Sequence, residues 1–246
     1  LKVPIIGINH LQAHTFSPFI GKRYIPFPFI SLVISGGHTT LALVKDLDRF
    51  EPLGQTKDDA IGEAFDKVSK ILGFGYPGGH IIESLAKKGC SERVKLPYTP
   101  HDRESLNFSF SGIKTAVLYY VRDVSRRDNK INVFDLASSF QETVIKTVFE
   151  KLKLACDIKK IKTIVISGGV SINRRLREYF IGSSRRYGIK VIFPENNLCL
   201  DNAAMVASLG ERLYKKKRYI SNYYISALSS LGFNTGEGYV RFTVNN

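Results

Sequence analysis

The chain has 246 residues, 43% hydrophobic and 24% charged, with 36 Lys/Arg against 22 Asp/Glu, a formal net charge of +14 and a sequence pI near 9.7. That length and apolar content suffice for one large domain or two small lobes, and they exclude a disordered chain, a collagen-like repeat and a small disulfide scaffold. No run of about 18 apolar residues predicts a transmembrane helix, and three widely spaced cysteines (Cys90, Cys156, Cys199) without a CxxC pair read as reduced thiols in a cytosol-like compartment.

In chain order, Val3–Ile8 is a short apolar strand candidate, and His10–Phe19 a short helix stopped near Pro18. The opening apolar run is too short for a signal peptide. Residue 1 is Leu and the only Met is Met205, which leads us to expect sequence upstream of Leu1. Phe29–Ser35 and Thr39–Val44 are β-rich runs joined by Gly36-Gly37-His38 and predict a hairpin. Asp58–Leu72 has helical apolar spacing and ends at Gly73, a C-cap residue. A second helix is expected over His80–Lys87, a loop over Gly89–Asn107, and further helices over Ser111–Val124 and Phe134–Cys156. Thr163–Ile166 reads as a buried strand, followed by a glycine pair and a helix from about Ser171. Lys190–Phe193 is another strand, and Asp201–Lys216 a helix with Asp201 as N-cap. The tail after Arg218 is weakly patterned. This alternation predicts α/β architecture, with a hairpin among parallel strands.

The positive charge is uneven. Residues 151–190 hold eleven Lys/Arg against Asp157 and Glu178, and 211–218 hold five against Glu211. Such segments are either solvated helix faces or a surface for a polyanion, nucleic acid first. No nucleic-acid-binding signature names the partner.

Five motifs carry chemistry. His10 and His14, four apart on a helix, share a face and are either two ligands of one metal ion or two unrelated histidines. Leu11 follows the first His where a zinc protease of the HExxH type needs Glu, so that class is disfavoured. Ser35-Gly36-Gly37-His38 permits backbone N–H groups to face a phosphate, and it equally suits a plain tight hairpin. Ile164–Ser167 running into Gly168-Gly169 and a helix makes either an anion site or an ordinary α/β turn; it is neither a GxGxxG fingerprint nor a Walker loop. Glu63 and Asp66, three apart, can face one cleft and hold ribose hydroxyls, or be solvated helix charges. Asp201 is a helix cap or a third metal ligand completing a facial set.

Taken in order, NHLQAH (9–14), LVISGGHTTL (32–41), DDAIGEAFDKVSKILGFGYPGG (58–79), FSFSGIKTAV (108–117), ISGGVSINRRLR (166–177) and LDNAAMVA (200–207) closely resemble the tRNA threonylcarbamoyladenosine synthesis family in its bacterial or organellar TsaD-like form, once labelled O-sialoglycoprotein endopeptidase. The resemblance covers the chain up to about residue 210. It implies a two-lobed actin, chaperone-ATPase and sugar-kinase (ASKHA) fold with an incomplete N-terminal lobe. Residues 1–28 would be the remainder of that lobe, 29–200 the C-terminal lobe with inserted helices, and 201–246 a closing helix and tail. It implies transfer of threonylcarbamoyl from threonylcarbamoyl-AMP to N6 of the tRNA adenosine just 3′ of the anticodon. His10, His14 and Asp201 would hold one divalent ion, Fe(2+) first and Zn(2+) second. Val33, Ile34, Ser35, Gly36 and Gly37 would meet the acyl-phosphate region, and Asp66, Gly79, Glu83 and Asn173 the nucleotide. The implied partners are tRNA and either a paralogous subunit with a small ATPase (TsaB- and TsaE-like) or a second copy; no membrane is implied. The implied location is a bacterial cytoplasm, with a mitochondrial matrix second. Gln12 stands where many members have Glu. The chain corresponds to the later two-thirds of such an enzyme, so these residues alone are expected to be poorly active. The alternatives are a non-catalytic scaffold of the same fold, a metallopeptidase, and a small-molecule kinase or ATPase.

Overall fold

The protein, described here from a computed structural model that places residues 5–21, 24–96, 104–127, 129–217 and 232–233, is built around one β-strand buried on both faces. That strand, β1 (Phe29–Ile34), alternates its side chains between two cores. It pairs antiparallel with β2 (Thr39–Asp46), which pairs antiparallel with β3 (Arg49–Gln55). On its other side β1 pairs parallel with β4 (Thr163–Ser167), and β4 pairs parallel with β5 (Lys190–Ile192). The sheet order is β3-β2-β1-β4-β5.

Helices cover both faces, as a sheet apolar on both sides requires. On one face lie α1 (His10–Phe16), a 3-10 turn over Ser17–Phe19, and α7 (Ala203–Lys215). There Ala13, Phe16, Phe19, Met205 and Leu209 pack with Phe29, Val44 and Val165. Thr15 and Ser31 share a buried hydrogen bond, Oγ1 to Oγ, of 2.8 Å. On the other face Ile30, Leu32, Ile34, Ile164 and Ile166 meet α2 (Ile61–Ile71), α3 (Gly78–Ala86), α4 (Ser111–Arg126), the long α5 (Val133–Lys159) and α6 (Arg174–Arg185).

Several expected boundaries move, each for a visible reason. Ile5–Ile8, the described part of the first strand candidate, makes one isolated bridge at Ile5 and no strand. The helix expected from Asp58 begins at Ile61, because Asp58 and Asp59 are drawn to other partners: Asp58 to Ser109, Phe110 and Ser111, Asp59 to Lys67 and Lys114. The helix expected from Ser171 begins at Arg174, after a 3-10 turn over Gly169–Ile172, with Asn173 as its cap. The cap of α7 is Asn202 and not Asp201: the Asn202 side chain accepts from the Met205 N–H at 2.8 Å. The sequence reading omits β3, whose Pro52 and Gly54 are tolerated because it is an edge strand with irregular register. Apart from residues 232–233, the tail lies outside the described residues.

Parallel β1 and β4 end on the same side of the sheet, at the 35–38 loop and at Gly168-Gly169. Ligand sites in such sheets lie beyond the carboxyl ends of the strands. Gly168 has φ +89°, and a Cβ there would sit 2.3 Å from the Ile34 carbonyl oxygen, so only glycine lets these two ends meet.

Candidate active site

Asn9 starts α1, its side-chain oxygen accepting from the Gln12 N–H at 3.1 Å while its amide donates to the Gly232 carbonyl. One turn apart, His10 and His14 bring their rings to a centroid distance of 4.7 Å, edge to face. Because Asn202 performs the capping of α7, the Asp201 carboxylate is free to turn toward α1. Its Oδ1 lies 2.9 Å from His14 Nε2 and 3.4 Å from His10 Nε2. The ligand atoms of all three residues lie within 4.8 Å of one another.

Burial holds the His14 imidazole below its ordinary pKa; the nearby His10 adds to that, and Asp201 opposes it. A neutral imidazole is the form a metal ligand needs; here the Asp201 carboxylate, which only accepts, takes a hydrogen bond from the His14 Nε2–H that a bound ion would replace. His14 Nδ1 is buried with no hydrogen-bond partner among the described residues. Asp201 Oδ1 at 2.9 and 3.4 Å from the two imidazole nitrogens matches donor spacing around one ion with bonds of about 2.1 Å. Two imidazoles and a carboxylate suit Fe(2+) or Zn(2+) and leave coordination positions open. The residues present therefore fit a divalent transition metal. His38, at the end of the glycine loop, is close enough for its charge to disfavour protonation of His14 as well.

Beside this cluster opens a cavity of about 590 Å³ whose lining includes Gly36, Gly62, Asp66, Tyr76, Gly79, His80, Glu83, Gly169, Asn173 and Leu200. Leu200 joins the two sites, since Asp201 follows it in the chain. Three of the polar lining residues tie the walls together. Asp66 Oδ1 accepts from the Gly78 N–H at 2.6 Å, in the first turn of α3. Glu83 Oε1 accepts from the Arg174 N–H at 3.0 Å, in the first turn of α6. Asn173 accepts from the Leu176 N–H and donates its amide to Gln141 Oε1, both at 2.9 Å. The second carboxylate oxygens of Asp66 and Glu83 accept no hydrogen bond among the described residues.

The structure thus gathers Gly36, Asp66, Gly79, Glu83 and Asn173 around one cavity and His10, His14 and Asp201 at one point. Side chains of Val33 and Ile34 point into the cores, so these two reach a ligand only through backbone atoms. Ser35 is occupied in closing the turn: its N–H donates to the His38 carbonyl at 2.8 Å, and its Oγ accepts from the His38 N–H at 3.1 Å. Gly36, Gly37 and Gly79 have no atom within 4 Å of where a Cβ would stand, so their faces are open. Glu63 does not join Asp66 at the cavity as the spacing suggested. It pairs instead with Lys67 at 2.7 Å and reaches back to the Ala60 N–H. Sequence reasoning did not single out His38, Tyr76 or Leu200. The available signals were the position of His38 directly after the glycine pair and, for Tyr76, its place in a Gly-Tyr-Pro-Gly-Gly turn unusually glycine-rich for a plain connector; Leu200 carried none.

The family model of TsaD, described as tRNA N6-adenosine threonylcarbamoyltransferase, matches residues 1–208. The chain belongs to the TsaD family. A Dictyoglomus turgidum protein of that name is 49% identical over 227 residues, covering 92% of this chain and 67% of the relative. Proteins of the same name from Clostridium beijerinckii and Clostridium perfringens are 42% and 44% identical, covering 95% and 85% of this chain and 66% and 61% of their own lengths. The chain thus spans about two thirds of the length of the curated relatives it matches. Among solved structures, full-length HypF in its phosphate- and nucleotide-bound form superposes with a TM-score of 0.70 at 15% identity, over 89% of this chain and 45% of that one. That likeness shows the fold, and its α/β architecture is the one the alternation of elements predicts.

Proposed function

We propose that this TsaD-family chain carries the catalytic centre of a tRNA N6-adenosine threonylcarbamoyltransferase. In the proposed reaction the adenosine N6 amine attacks the carbamoyl carbon of threonylcarbamoyl-AMP. The bond from that carbon to the phosphate oxygen breaks, AMP leaves, and the amine gives up one proton. The observation that carries this reading is the meeting of His10, His14 and Asp201, from opposite ends of the chain, beside a cavity walled by Gly36, Asp66, Gly79 and Asn173.

A divalent ion held by His10, His14 and Asp201, Fe(2+) in first place and Zn(2+) in second, would supply Lewis-acid polarisation. The chain's own residues do the rest. Open backbone at Gly36 and Gly37 lies at the strand end, where N–H groups can receive phosphate oxygens and stabilise the charge that grows on them. The unused oxygens of Asp66 and Glu83 can accept from ribose hydroxyls. Gly79 lets the nucleotide approach the first turn of α3. Asn173 holds the wall through Gln141 and the start of α6. The mixed anhydride is already activated, so no protein nucleophile is needed.

On this reading the protein works with tRNA in a bacterial cytoplasm, with a mitochondrial matrix as the second location. It works with a paralogous actin-fold subunit and a small ATPase, or with a second copy. Among the described residues no helix is long and apolar enough to cross a membrane.

The test is nucleoside mass spectrometry of unmodified tRNA incubated with threonylcarbamoyl-AMP, the protein and its partner subunits, alongside metal analysis. We expect threonylcarbamoyladenosine from the protein extended into its upstream reading frame and little from residues 1–246 alone, with product and bound metal both lost in His10→Ala and Asp201→Ala. A folded, metal-loaded extended protein that makes no product with every partner present would instead establish a scaffold subunit.

A further inference from the structure

Six of the eleven Lys/Arg in residues 151–190 lie at the end of the sheet opposite the cavity. The C-terminus of α5 (Lys159, Lys160), the start of β4 (Lys162), the C-terminus of α6 (Arg185, Arg186) and the start of β5 (Lys190) meet there, because parallel strands place their amino ends together. The Lys190 N–H donates to the Lys162 carbonyl at 2.7 Å, and Lys162 Nζ donates to the Tyr187 carbonyl at 3.2 Å. Tyr187 sits at the centre, 43% exposed, with Lys153 Nζ 4.9 Å from its ring centroid.

The bland explanation is that cations complement helix C-termini. It accounts for Lys159 and Arg185 in the last turns, and Lys159 is already paired with Glu51 at 2.5 Å. It extends to Lys160 and Arg186, the C-caps of α5 and α6, but not to Lys162 and Lys190, which lead into β4 and β5. Lys160, Arg185, Arg186 and Lys190 are exposed and make no ion pair among the described residues. Of the two acidic residues in that segment, Asp157 faces Lys153 at 3.8 Å and Glu178 pairs with Arg174 at 2.7 Å. Unpaired cations around a half-exposed aromatic ring suit a nucleic-acid backbone, whose phosphates take the cations while a sugar or base covers the ring.

We propose that this Tyr187-centred basic edge is a second RNA-binding surface, which grips phosphates of the same RNA whose adenosine enters the cavity. The proposal rests on the transferase reading above. β4 has five residues between the two ends, a span of roughly 17 Å at about 3.3 Å per residue. The edge is therefore too far away to touch the reacting base. Its contribution is affinity and orientation of the RNA body.

The experiment measures binding of unmodified tRNA by the full protein as a function of salt. It compares Arg185→Ala/Arg186→Ala/Lys190→Ala with a control that removes equal charge from α4, Arg122→Ala/Arg126→Ala/Arg127→Ala. We expect the first triple variant to bind at least about tenfold more weakly and its log K against log[salt] slope to fall by about 2. AMP binding at the cavity should be unchanged, and the control should keep the original slope. Equal binding and slope in the triple variant would overturn the proposal while leaving the transferase reading intact. A control that loses as much as the triple variant would show bulk charge at work and overturn it too. An unaltered protein that does not bind tRNA would overturn both.

Discussion

Gly62 and Gly79 line the same cavity, yet the space around them differs. A Cβ on Gly62 would lie 2.7 Å from Gly36 Cα and 2.8 Å from the Ser35 carbonyl oxygen, both backbone atoms that cannot swing aside. A Cβ on Gly79 meets nothing within 4 Å. Gly62→Ala should therefore push the 35–38 loop off the start of α2 and cost about 1–3 kcal/mol, the usual range for overpacking. Gly79→Ala should keep its stability within about 1 kcal/mol, as expected where the added methyl meets no clash, while weakening AMP or substrate-analogue binding. Chemical denaturation and nucleotide titration of the two variants check this. Equal stability losses would contradict the assignment of Gly79 to an open ligand face. At this scale part of the site was legible in advance. The i, i+4 spacing of His10 and His14 follows from helix geometry alone. Asp201 could not be decided between cap and ligand, because the choice depended on which of Asp201 and Asn202 would take the N–H groups of α7. Only the folded chain shows that Asn202 does.

Helix α4 owes its start to a residue more than fifty positions away. Its own N-cap position, Phe110, offers no side-chain acceptor. Asp58 serves instead, accepting from the N–H groups of Phe110 and Ser111 at 2.9 and 3.3 Å and from the hydroxyls of Ser109 and Ser111 at 2.5 and 2.7 Å. Burial alone would raise the Asp58 pKa, but these donors outweigh it and hold the carboxyl below its ordinary value. A carboxyl whose folded pKa is depressed stabilises the fold above its unfolded pKa, near 4, and loses that contribution as pH falls through the folded value. Asp58→Ala should cost about 1 kcal/mol at neutral pH, the size of a helix cap. Its stability should converge with that of the unaltered protein once the pH has fallen below the depressed folded value and both lack the charge. Urea melts at a series of pH values test this; a constant gap down to low pH would mean the loss is one of packing. The same contacts explain why the helix expected from Asp58 begins three residues later. Periodicity made the apolar faces of α2, α4 and α5 legible, because a 3.6-residue repeat is written in the sequence. It could not reveal a carboxylate spent on another helix, nor an edge strand such as β3 that breaks strand patterning with Pro52 and Gly54.

For the whole molecule, the separation of the proposed metal ligands along the chain matters most. Asp201 stands 187 residues from His14, just before the cap of α7, the other helix that packs against the α1 face of the sheet. An ion bound by both helices would join the first and last described helices directly. Its binding free energy would then be coupled to folding, since the unfolded chain presents no such site. Loading with a divalent metal at a hundred times its Kd should add about 2.7 kcal/mol. For a domain of this size each kcal/mol raises Tm by about 2–4 °C, so a rise of roughly 5–10 °C is expected. Chelation should remove it. Asp201→Ala should abolish the metal-dependent rise. Its metal-free Tm should change little, because the Asp201 side chain is largely exposed and its capping position is held by Asn202. Scanning calorimetry of both proteins, with metal and with chelator, separates these quantities. A metal-dependent rise that survives in Asp201→Ala would place the ion elsewhere, and α1 and α7 would then be held together by the apolar contacts of Ala13, Phe16, Met205 and Leu209 alone.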